Sequence, residues 1–122
     1  MHYLLLIYGD EDGMDWASMP PEEQAAQMHA WNDYTDWLKG KGWYLGGDAL
    51  EPTSSATTVR ERDGKILTTD GPFAETKEQL GGYYLINADS LDEAIEWAAK
   101  VPASRHGSVE VRPVMVFEED GA

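Results

Sequence analysis

The 122-residue chain contains no cysteine. Disulfides, thiolate metal sites and cysteine nucleophiles are therefore excluded, and the composition fits a reducing compartment. Basic residues are scarce: nine lysines and arginines against 23 aspartates and glutamates give a formal net charge of -14. A field of that sign repels nucleic-acid phosphates and anionic membranes. No local basic stripe offsets it, so direct nucleic-acid binding and membrane association are not expected. The bland meaning of the charge is solubility; a basic partner protein is the other. Long apolar runs are also missing. Tyr3-Leu4-Leu5-Leu6-Ile7-Tyr8 is too short to span a bilayer and has neither a basic leader nor a small-residue cleavage site. It reads as a buried strand, and the protein as cytoplasmic. The three histidines show no H-x-x-x-H or H-x-H spacing, so no metal is expected. A G-x-G-x-x-G after a strand, a Walker loop and a G-x-S-x-G elbow are absent as well, and no cofactor is expected.

What is present suits one packed domain over residues 1–122: 42% apolar residues, among them five tryptophans. The first strand covers about residues 2–8, with both alternating sets largely apolar. An acidic loop follows from Gly9 to Met19. Pro20-Pro21-Glu22-Glu23 opens a helix, whose apolar stripe is Met28, Trp31, Tyr34 and Leu38 and which Gly40 and Gly42 end. A second strand runs over about 43–50, with a bulge or a close backbone approach expected at Gly46-Gly47. Residues 56–62 and 65–69 form a hairpin, because Asp63-Gly64 suits a type I′ turn. Residues 75–80 are expected to form a helical turn, and residues 83–88 a strand. Ser90-Leu91-Asp92-Glu93 is a capping box, opening a helix that turns Leu91, Ala94, Ile95 and Ala98 inward. The last strand covers 108–117. The order β-α-β, hairpin, β-α-β resembles an α+β, ferredoxin-like sandwich: an antiparallel sheet with two helices on one face. Two helices cannot cover both apolar faces of the central strands, and a second copy can, which makes a homodimer the expectation.

Three places carry candidate chemistry. Asp70, at a strand end before the tight Gly71-Pro72 turn, shares eight residues with Glu75 and Lys77. It is either a rigidly held acid or an Asx cap beside solvated charges. Glu110 and Arg112, two apart on a strand, share a face; they form either a substrate clamp or a structural ion pair. An arginine grips carboxylates with two parallel bonds, so an anionic small molecule is the natural ligand, with Arg60 a second candidate. His29 lies one turn before Asp33 and two before Asp36. A His–Asp pair can do acid–base work, although an i, i+4 surface pair has the same spacing. His106, just before the last strand, can border a cleft.

Thr69-Asp70-Gly71-Pro72-Phe73-Ala74-Glu75-Thr76-Lys77-Glu78-Gln79-Leu80-Gly81-Gly82-Tyr83-Tyr84 resembles the signature of the DGPF branch of the YCII-related proteins. Tyr3 to Tyr8, Ala56 to Arg60, Asp92 to Ala98 and Gly107 to Pro113 match in order, so the resemblance covers nearly the whole chain. It implies a dimeric α+β barrel, two ferredoxin-like protomers with sheets face to face. About function it implies less. A few relatives act on small aromatic ring compounds, with a helix histidine and a later aspartate proposed as acid–base machinery. This first helix carries His29, while the family's histidine position falls near Trp31. Members of the branch also resemble proteins encoded beside, or fused to, extracytoplasmic-function sigma factors.

Three functional readings follow. The first is an acid–base enzyme on a small anionic or aromatic molecule in a cleft between the sheets, using Asp70 and His29, with Arg60, Glu75, Lys77, His106, Glu110 and Arg112 at the ligand. The second is a small-molecule-sensing or accessory module acting with a sigma factor. The third is a non-catalytic interaction scaffold.

Overall fold

The computed structural model describes residues 1–11 and 16–117. Its strands are β1 (His2–Gly9), β2 (Tyr44–Ala49), β3 (Thr57–Arg62), β4 (Lys65–Asp70), β5 (Gln79–Asn87) and β6 (Ser108–Pro113). The helices are α1 (Pro21–Gly40) and α2 (Leu91–Ala98). Four strands form one sheet in the order β2-β5-β1-β6, every neighbouring pair antiparallel. Both helices pack on one face of it, which is the ferredoxin-like arrangement that the sequence predicts. β3 and β4 form a separate two-stranded sheet. The middle of the acidic loop expected from Gly9 to Met19 lies outside the described residues.

Strand alternation sorts the core. Tyr3, Leu5 and Ile7 of β1 and Tyr84 and Ile86 of β5 are buried against Tyr34 and Leu38 of α1 and Ala94, Trp97 and Ala98 of α2. Trp43 stacks on Trp97 at 3.7 Å, and Trp37 meets both edge-on. The Tyr34 hydroxyl donates to the Trp97 carbonyl at 2.8 Å, tying α1 to α2. The opposite face carries Leu4, Leu6 and Tyr8 of β1 with Tyr83 and Leu85 of β5, all half-buried. No helix covers that face.

Several local expectations hold. α1 starts with Pro21 in its first turn beside Glu22 and Glu23, and Gly42 follows its end at φ +78°. The bulge falls in β2 between Tyr44 and Gly46. The hairpin turn has positive φ at both centres, 54° at Asp63 and 76° at Gly64. The Ser90 hydroxyl accepts from the Glu93 amide at 3.2 Å, while the Glu93 carboxylate reaches back to the Asp89 amide at 3.1 Å.

Others are corrected. Residues 75–80 form no helical turn: Gln79 and Leu80 pair with Gly9 and Tyr8, so β5 already runs through Gly81 and Gly82. Ladder pairing outweighs a weak local preference there. On α2, Leu91 and Ile95 are about half exposed and Trp97 turns inward with Ala94 and Ala98. The large indole, stacked on Trp43, sets which face of the helix is buried. The last strand stops at Pro113, paired with Tyr3, four residues short of the expected end; beyond it the Val114 amide donates to the His2 carbonyl at 2.9 Å, and Met115 is exposed.

Candidate functional site

A cavity of about 560 Å³ opens where α1 crosses the bulged end of the sheet. It has a physical origin in two glycine pairs on neighbouring strands. Gly47 of β2 lies opposite Tyr84, and Gly82 of β5 lies opposite Ala49, two pairs along the same ladder. A Cβ at Gly47 would stand 2.8 Å from the Tyr83 carbonyl oxygen and 2.8 Å from the Tyr84 ring. Only a missing side chain lets the Tyr84 ring lie flat there. The space left is walled by Met28 and Trp31 from α1, and by Tyr44 and Tyr84 from the sheet. Trp31 stacks parallel to Tyr84 with centroids 6.4 Å apart, and Tyr44 meets Tyr84 edge-on at 6.2 Å.

The polar equipment has a definite sense. The Thr35 hydroxyl donates to the Trp31 carbonyl at 2.9 Å, and it lies 2.6 Å from the Tyr84 hydroxyl. Thr35 has one proton, and the carbonyl takes it. With the Thr35 proton on that carbonyl, the Tyr84 hydroxyl donates to Thr35 and its oxygen keeps acceptor capacity. Burial pushes the Tyr84 phenol above the usual tyrosine range, and the neighbouring Tyr44 adds to the rise. The phenol is neutral at physiological pH. At the mouth, Glu11 accepts from the Thr53 amide at 2.9 Å and from its hydroxyl at 2.7 Å, and Asp48 accepts from the Tyr83 hydroxyl at 2.8 Å. That bond, and the Asp48 charge, raise the Tyr83 phenol. With Asp10, these acids form the rim, and no lysine, arginine or histidine is among the lining residues.

The residues singled out by sequence lie elsewhere. His29 pairs with Asp33 at 3.2 Å, and both side chains are mostly exposed, at 79% and 65%. Trp31, near the family's histidine position, is the residue that lines the cavity. Asp70 and Arg60 are exposed on the hairpin, and Glu75 and Lys77 are exposed in the segment after it. Glu110 and Arg112 do meet: the Arg112 Nε donates to Glu110 at 2.8 Å, its terminal nitrogen forms an ion pair with the same carboxylate, and Tyr8 donates to Glu110 at 3.3 Å. They sit on the uncovered face, and their strand neighbours Val109 and Val111 pack on the core. His106 borders a second groove of about 700 Å³ between α1 and the turn Pro102–Arg105, together with Asp33, Lys100 and Arg105. The structure thus brings Glu110 and Arg112 together, and it gathers neither of them with Asp70 or His29 in one cavity. Among the described residues no three His, Asp or Glu side chains are grouped to hold a metal ion.

The aromatic cavity itself escaped the sequence reading. Its signal was the repeated glycine pair, which marks one close approach when the two strands are neighbours. That adjacency is not visible along the chain.

The profile of the YCII-related domain matches residues 1–118. The chain is also 40% identical over 123 residues to an uncharacterised protein of Rhizobium meliloti (strain 1021), covering 97% of this chain and 95% of that one.

Proposed function

The chain belongs to the family of YCII-related domains, and from that premise we propose that it works as a homodimer and binds a small aromatic molecule carrying a hydrogen-bond donor. The lining of the α1–sheet cavity supports this reading: aromatic walls that include the Tyr84 phenol, with its oxygen left as an acceptor, and an acidic rim without a cation. Such a lining suits phenols, catechols and aromatic amines. It disfavours carboxylates, which would meet like charge at the mouth. The size fits the usual range of small-ligand pockets. The dimer follows from the half-buried Leu4, Leu6 and Leu85, which a second sheet would cover to make a face-to-face α+β barrel.

A thermal-shift screen of phenols, catechols, aromatic amines and aromatic carboxylates tests the ligand class. A ligand at a hundred times its dissociation constant stabilises by about 2.7 kcal/mol, or several degrees for a domain of this size. Phenols or amines are expected to shift the midpoint, and Tyr84→Phe, which keeps the ring and loses the acceptor, is expected to abolish most of the shift. Equal shifts by carboxylates, untouched by Tyr84→Phe, would overturn the assignment. Turnover of a bound compound by the wild type would favour acid–base catalysis; binding without turnover would favour a sensing or accessory module.

A further inference from the structure

Among the described residues the β3–β4 hairpin joins no third strand; Leu67 is 48% exposed on one of its faces, and Val59 and Ile66 are exposed on the other. A lone two-stranded hairpin is marginal in water, so this one calls for a surface to lie on. Its register puts Arg60, Leu67, Arg62 and Lys65 on one face. Those three cations, out of nine in the chain, fall within six residues. The cavity mouth is the complement: an apolar opening rimmed by Asp10, Glu11 and Asp48.

The hairpin springs from beside its own cavity mouth. Its root is fixed there, with Thr53 bonded to Glu11 and the Gly71 amide closing the base on the Ala56 carbonyl at 2.7 Å. Six residues of strand carry the basic tip about 20 Å away from that root. Facing sheets are about 10 Å apart, so the arm is long enough to cross to a second copy. The mouth is also continuous with the uncovered sheet face, since Tyr8, Asp48 and Tyr83 border both.

We propose that the β3–β4 arm of each protomer lies across the mouth of the partner's cavity, setting Arg60, Arg62 and Lys65 against the acidic rim and Leu67 over the apolar opening. The second copy then completes the site. This rests on the dimer reading above and on nothing about the ligand.

The absence of cysteine makes the test direct. Full-length Leu67→Cys and Asp48→Cys chains are mixed and treated with a short bismaleimide, and sedimentation velocity is run on the wild type. A covalent dimer formed in the mixture well above either chain alone is expected. In sedimentation, the triple variant Arg60→Glu, Arg62→Glu, Lys65→Glu is expected to dissociate at concentrations about tenfold higher than the wild type. A wild-type dimer with no cross-link between chains, and unchanged by the triple variant, would overturn the arm and leave the dimer standing. A cross-link formed only within a single Leu67→Cys, Asp48→Cys chain would overturn it in favour of a lid on its own cavity. A wild-type monomer would overturn the dimer reading, and the arm with it.

Discussion

Gly107 shows how little room the β1–β6 junction leaves. A Cβ there would fall well inside the van der Waals contact distance of the Tyr8 carbonyl oxygen and press on the Gly9 backbone. Gly107→Ala is expected to cost about 1–3 kcal/mol, as overpacking does, read as a lowered urea midpoint with an unchanged slope. Tyr34 is the residue whose chemistry reaches stability through pH. Burial, then the neighbouring Tyr84, raises its phenol well above the ordinary 10.0. Below pH 10 both folded and unfolded chains keep the proton, and stability is undiminished. Above it the unfolded chain ionises first, so stability falls as pH rises from 10.0 toward the raised folded value. Tyr34→Phe is expected to lose about 1 kcal/mol near neutral pH with the bond to Trp97. It is also expected to show a shallower alkaline loss than the wild type. Denaturant melts at about pH 8 and pH 11 check both.

Among the elements, α2 is short, and its start depends on Ser90. That cap was legible because Ser90 and Glu93 stand three apart before an apolar run, a purely local pattern. Ser90→Ala is expected to cost about 1 kcal/mol, a fall of several degrees in midpoint by calorimetry. The inward face of α2 was not legible. Leu91 and Ile95 are as apolar as Trp97, and only the stacking of Trp97 on Trp43 decides which of them the core takes. The same limit explains residues 75–80. A local reading weighs their helical preference, whereas the pairing of Leu80 with Tyr8 is a contact across the chain.

For the whole molecule, the asymmetry of the sheet governs. One face is buried by two helices, and the other presents Leu4, Leu6 and Leu85 half-buried beside the Glu110–Arg112 pair. Leu85→Glu is expected to yield a monomer in light scattering with a near-unchanged circular dichroism spectrum, because the substituted side chain lies off the helix-packed core. An unchanged dimer would remove this face as the interface. No helix among the described residues is long and apolar enough to cross a membrane.

The sequence by itself determined the order of elements, the hairpin turn at Asp63-Gly64, the cap at Ser90 and the two-faced strands. Each of these is set by spacings of a few residues, and the physics that enforces them is equally local. It also placed the chain in its family through the run from Thr69 to Tyr84. Tertiary structure alone decided the site. Gly47 and Gly81-Gly82 lie far apart in the chain and come to border one cavity only when β2 pairs with β5. Trp31, Thr35 and Tyr84 read separately as core residues, and become the wall of one cavity only when α1 packs across that part of the sheet. Asp70, conspicuous in the sequence, lies exposed at the base of the hairpin, paired with Thr57 and outside that cavity's lining.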